Sequence, residues 1–123
     1  MERNLDLIRR LLFTLEESLK ENTDVWVPRQ LIIEPYTAEQ VGYHAKLLLQ
    51  AGYIEARDIT PDGSPTTWLR VSSISWAGHQ FLDAARDEST WTKAKDAIRR
   101  IGGVSLPVLA NLLTELGKKS LGF

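Results

Sequence analysis

Apolar residues recur at helical spacing from the start of the chain. Leu5, Ile8, Leu12, Leu15 and Leu19 fall every three or four positions, and Leu7 and Leu11 widen the stripe. Arg9, Arg10, Glu16 and Glu17 take the other side. This period predicts a core-facing amphipathic helix from Asn4 to Lys20. Leu31, Ile32 and Ile33 lie between Pro28 and Pro35, which predicts a brief edge strand, since proline cannot donate to a central ladder. Thr37 followed by Gln40 has the form of a capping box and starts a helix that Gly52 stops. On that helix Ala38, Val41, Ala45 and Leu48 share one side, and Glu39, Tyr43, Lys46 and Gln50 share the opposite one. His44, beside Val41 and Leu48, reads as a histidine at the edge of the core.

Two alternating stretches come next, Ile54 with Ala56 and Leu69 with Val71, on either side of "TPDGSP". The Asp62-Gly63 pair suits a hairpin turn, so the segment predicts a hairpin with one buried face. Ser75 caps a helix that turns Ala77, Phe81, Leu82 and Ala85 inward. A further helix from Ser89 to Ile101 carries Trp91, Ala94, Ala97, Ile98 and Ile101 as its stripe and ends at Gly102 and Gly103. The last helix, capped by Ser105 with Pro107 in its first turn, presents Leu106, Leu109, Leu113 and Leu116 and runs to Leu121. Packing onto the first helix, within one chain or across a dimer, is its simplest use.

This order predicts an α+β, winged-helix-like fold of helix, short strand, helix and β-hairpin wing, with a C-terminal helical extension. Residues 1–87 form the expected core. Residues 88–123 form the extension, packed on the core or at a dimer interface, in what is a single domain overall.

With 123 residues, 43% hydrophobic and 25% charged, the chain has the composition of one ordinary folded domain. It has no cysteine, which excludes disulfides, thiolate metal sites and cysteine nucleophiles. Acids and bases interrupt the N-terminal apolar run, and there is no apolar stretch long enough to span a bilayer, so a cytoplasmic protein without membrane attachment is expected. The net charge of −1 is distributed unevenly: residues 90–123 carry +4 and residues 1–89 carry −5. A basic patch would therefore draw mainly on the C-terminal third.

No catalytic pattern emerges. His79, Asp83 and Asp87 are spaced four apart, but two histidines and no cysteine do not complete a metal site. No serine sits in a G-x-S-x-G elbow, and Gly102-Gly103 lacks the lysine of a phosphate-binding loop. The expectation is a non-enzyme without cofactor or metal.

"MERNLDLIRRLL", "YHAKLLLQAGYI", "SWAGHQFLDAARDESTW" and "GGVSLPVL" together resemble a bacterial and phage family known as domain of unknown function 2513. The resemblance covers nearly the whole chain. It implies a winged-helix-like fold, a setting near mobile or phage-derived genes, and no assigned catalytic residues. "LLLQAGYI" and "ISWAGHQFL" also resemble the segments around the wing of many winged-helix regulators, whose trailing helices often make the dimer.

Two functions stay open on these residues. In the first, a helix from Thr37 to Ala51 enters the DNA major groove, with Tyr43, Lys46 and Gln50 on the helix and Arg57 and Arg70 on the wing as the contacting side chains. Glu39, Asp58 and Asp62 weaken this case, because they cancel the positive charge that phosphate binding draws on. In the second, the scaffold holds a host or phage protein through Trp68 and Trp76, with Leu109, Leu113 and Leu116 offering an apolar face to a partner or a second copy.

Overall fold

The computed structural model describes residues 1–120. In chain order these form α1 (Leu5–Leu19), β1 (Val25–Val27), α2 (Ala38–Gln50), β2 (Ile54–Asp58), β3 (Leu69–Ile74), α3 (Trp76–Ala85), α4 (Glu88–Ile101) and α5 (Leu106–Ser120). The strands make one antiparallel sheet in the order β1-β3-β2. The fold is mixed α+β, as expected. Two compact units divide it, Met1–His79 and Gln80 onward, and each is described by itself.

In the first unit, the Asn4 side chain caps α1 by accepting the Leu7 N–H at 3.0 Å. Leu7, Ile8, Leu11, Leu12 and Leu15 are fully buried, each worth roughly 2 kcal/mol of apolar burial. With α2, this face of α1 covers one side of the sheet. From the strands, Val25, Val27, Ile54, Leu69 and Val71 point into the same core. Alternation puts Trp26, Arg57 and Arg70 on the other side, exposed.

The edge strand is not where its sequence pattern placed it. Val25–Val27 pairs with β3, whereas Leu31, Ile32 and Ile33 form no strand. Val25 and Val27 meet Val71 and Leu69 in register, so both pairs bury together. Past Pro28 the backbone turns instead: Gln30 N–H donates to the Trp26 carbonyl at 2.7 Å and Leu31 N–H to that of Pro28 at 3.1 Å. Leu31 and Ile33 are buried and Ile32 is 82% exposed, so the alternation is real but records side-chain burial without a ladder.

Two glycines are sites of close approach. A Cβ on Gly42 of α2 would stand 2.4 Å from the Thr67 carbonyl oxygen. One on Gly78 of α3 would stand 2.1 Å from that of Tyr53. Gly78 therefore occupies the inward position expected of Ala77, which is exposed, and Ala38 of α2 is exposed as well. Ser75 secures the same junction: its hydroxyl accepts the Gly78 N–H at 3.1 Å and donates to the Gly52 carbonyl at 2.5 Å.

In the second unit, α4 packs against α5. Asp87 caps α4 by accepting the Thr90 N–H at 2.8 Å, and that bond holds its carboxyl below the usual range. Trp91 is buried edge-on to Phe81, with ring centroids 6.3 Å apart. Ile101, expected in the stripe, is 68% exposed, because it is the last residue of α4 before the left-handed Gly102 turns the chain away. Ser105 caps α5, accepting the Val108 N–H at 3.4 Å. Leu121, expected to close α5, lies outside the described residues. Among the described residues, no helix is long and apolar enough to cross a membrane.

Gly78→Ala forces a methyl group onto a backbone carbonyl that no rotamer change can move. It is expected to cost about 2 kcal/mol or more in urea unfolding. Gly63→Ala meets no neighbouring atom and is expected to cost only the smaller strain of its positive φ.

Candidate nucleic-acid interface

Helix α2 begins at a complete capping box. Thr37 N–H donates to Gln40 Oε1 at 2.9 Å, and Gln40 N–H donates to Thr37 Oγ1 at 3.1 Å. Val41, His44, Ala45 and Leu48 are buried. The opposite face keeps Glu39 and Gln50 exposed and Tyr43 and Lys46 half-buried. The outward set expected on this helix therefore stays on its accessible side, but it is not a free basic face. The Lys46 ammonium is paired with the carboxylate of Asp58 at the end of β2.

Asp58 is the centre of a small network that fixes the base of the hairpin. Its second carboxylate oxygen accepts the Thr60 N–H at 2.9 Å and the Thr60 hydroxyl at 2.6 Å. Thr60 Oγ1 in turn accepts the Trp68 N–H at 2.9 Å, and Ile59 N–H donates to the Trp68 carbonyl at 2.9 Å. Hydrogen bonds from Lys46 first, and from Thr60 next, lower the Asp58 pKa to about 2. The carboxylate is thus ionised at every pH at which the protein would work. Asp-x-Thr after a strand is a local side-chain-to-backbone motif, and it was the available signal for this network. Its link to Lys46 spans twelve residues and two elements, which no local pattern reveals.

The wing arginines point elsewhere. Arg57 and Arg70 are direct cross-strand partners, and Arg70 is also opposite Trp26 of β1. Asp24 accepts from Arg70 Nε at 2.6 Å. The row Trp26, Arg70, Arg57 lies on the sheet face opposite the one that α1 and α2 cover. The five candidate contacts therefore separate into two surfaces: Tyr43, Lys46 and Gln50 on α2, and Arg57 with Arg70 behind the sheet. Trp26 lies in a strand of only three residues, too short for its alternation to mark it in the sequence.

The candidate protein contacts also divide. Trp76 is 80% exposed and Trp68 half-buried. Leu116 is half-buried, while Leu109 and Leu113 are fully buried and present no surface. Among the described residues, no group of three or more acidic or histidine side chains could hold a metal ion.

His44 is more deeply placed than the edge position expected of it, being buried. Its Nε2 accepts the Asn4 N–H at 2.8 Å, and its Nδ1 lies 2.7 Å from the Gln40 carbonyl. One partner can only donate and the other can only accept, which fixes the neutral ring with the proton on Nδ1. The ring thus ties the first turn of α1 to α2. Burial lowers its pKa, partly opposed by the Gln40 carbonyl.

A family model described as hypothetical protein (DUF2513) matches residues 2–105. The chain belongs to this family. A relative of the DUF2513 chain, an uncharacterized protein of Haemophilus influenzae, is 36% identical over 99 residues, covering 80% of each chain. No solved structure matches this DUF2513 protein.

Because the folded state depresses the His44 pKa below 6.5, the unfolded chain binds the proton more readily. The stability that neutral His44 contributes is complete above pH 6.5 and is lost as pH falls through the folded-state pKa. Urea midpoints measured from about pH 7.5 down to 5 should fall, and His44→Gln should flatten that dependence.

Proposed function

We propose that this DUF2513 protein is a non-enzymatic, winged-helix-like DNA-binding regulator. The observation that carries the reading is the placement of α2. The helix lies between β1 and β2 in the chain, packs on a sheet of order β1-β3-β2, and keeps Tyr43, Lys46 and Gln50 accessible beside the hairpin base. This placement supports reading α2 as a recognition helix and the hairpin as its wing, with turns at residues 28–36 in place of the usual preceding helix. Gln50 can address an adenine edge and Lys46 a phosphate or guanine. In this proposal the protein acts in the cytoplasm as a homodimer and stems from a phage or mobile element, with its trailing helices supplying the dimer contact.

Lys46 would have to exchange Asp58 for a phosphate. Both side chains are about one-third exposed, at 35% and 36%, so solvent screens the pair and the exchange costs little. A second reading, a protein-interaction module for a host or phage protein, is favoured by Trp76, an aromatic of the type that anchors interfaces, at 80% exposure.

Fluorescence anisotropy against a pool of random duplexes tests the first reading. Binding should weaken steeply from low salt to about 200 mM, because each counterion released from the phosphates gains less entropy in more concentrated salt. Lys46→Glu and Gln50→Ala should weaken it with melting temperature retained, and Asp58→Asn, which frees Lys46, should strengthen it at low salt. No binding at any salt, or equal binding by all these variants, rejects the recognition-helix assignment. For the second reading, Trp76→Ala should lose a partner captured by the wild type while the fold survives.

A further inference from the structure

The open face of the sheet and its border hold the unpaired positive charge of the first unit. Between Met1 and His79 there are eight basic side chains against eleven acidic ones, a net −3. Among the described residues of this unit, Arg10 reaches the Glu34 carbonyl, Arg9 covers Phe13, and Lys20, Lys46 and Arg70 pair with acids. Arg3 is also engaged. Among the described basic residues of this unit, the side chains of Arg29 and Arg57 alone have no hydrogen bond, ion pair or ring contact.

These two arginines flank one surface. Arg29 lines a shallow groove of about 420 Å³ with Trp26 and Gln30, and Arg57 lines one of about 440 Å³ with Arg70 and Glu55. Thr23 and Asp24 line both grooves, so the two meet at that wall. The acids of this surface are already engaged, Asp24 by Arg70 at 2.6 Å and Glu55 by the Ser73 hydroxyl at 2.9 Å. The charged groups lining the two grooves sum to +1, on a unit that is otherwise acidic. Trp26, 39% exposed, gives the row an aromatic surface between the cations.

We propose that this sheet face is a docking surface for an acidic protein segment, which sets carboxylates on Arg29 and Arg57 and an apolar side chain against Trp26. The Asp24–Arg70 pair already shows the chemistry that the face accepts, a carboxylate held by an exposed sheet guanidinium. Discrete carboxylates can avoid Asp24 and Glu55, whereas the evenly spaced phosphates of a nucleic acid strand would be brought against both. Tryptophan and arginine are also the residue types that dominate protein interfaces. The surface is separate from α2, so the proposal stands independently of DNA binding.

The test is an NMR titration of the full chain, at low salt, with a blocked nonapeptide that has a central phenylalanine and one glutamate toward each end, the other positions being glycine and serine. The Trp26 indole N–H and the amides of β1, β2 and β3 should shift, and a serine-for-glutamate peptide should shift nothing. The double variant Arg29→Ala, Arg57→Ala should weaken binding on the order of tenfold, the effect of losing two exposed charge pairs, at unchanged melting temperature. Lys46→Glu should bind the peptide as the wild type does, which separates failure here from failure of the duplex reading. The proposal is overturned if the sheet resonances do not move or if the double variant binds undiminished. It is overturned equally if a single-stranded oligodeoxynucleotide binds this face more tightly than the peptide and loses affinity in the double variant, because the face would then be a phosphate surface.

Discussion

The approach of α2 to the hairpin, with Gly42 against the Thr67 carbonyl, decides which surfaces this protein offers. A side chain at that position would overlap a backbone oxygen, so the helix can lie where it does only because Gly42 has no Cβ. With α2 seated there, Lys46 comes within reach of Asp58, and His44 is pressed into the core where the N-terminus of α1 can bond to it. The same seating leaves the far side of the sheet without cover from either helix, and with it Trp26, Arg57 and Arg70.

Charge is used in two physically different ways around this junction. Lys46–Asp58 and Arg70–Asp24 are exposed pairs, weakly stabilising and open to exchange with an incoming anion. His44 is the opposite case. Its ring is out of water and bonded at both nitrogens, so a proton there would set two donors against each other. The exposed pairs can therefore take part in recognition, while His44 holds α1 and α2 together. An overall charge of −1 conceals this arrangement, because most cations of the first unit are already engaged by their own chain.

Gly78 plays the corresponding part where the hairpin leads into α3. Its contact with the Tyr53 carbonyl, and the Ser75 hydroxyl bridging Gly52 and Gly78, bind the start of α3 to the loop that ends α2. The aromatic side chains near this junction have different fates. Trp76 stays in solvent, whereas Phe81 and Trp91 form the edge-to-face pair at the centre of the second unit. Four tryptophans in one short chain thus include one core residue, two that are substantially exposed and one half-buried.

The amino-acid sequence by itself determined the helices, the caps at Thr37, Ser75 and Ser105, and the hairpin. Leucine spacing in α1, the Thr37 and Gln40 box and the Asp62-Gly63 turn act within a few residues, where side-chain chemistry and backbone preference are enough. It also determined which face of α2 is wet. Tertiary structure alone decided that β1 is Val25–Val27, since Leu31–Ile33 alternates equally well and only pairing with Val71 and Leu69 separates the two. It decided likewise that Gly78, not Ala77, faces inward, and that Lys46 is neutralised by Asp58 while Arg57 and Arg70 lie on another surface. These outcomes depend on which atoms meet across elements distant in sequence. Periodicity gives the direction of a side chain on its own element, but not the partner that awaits it there.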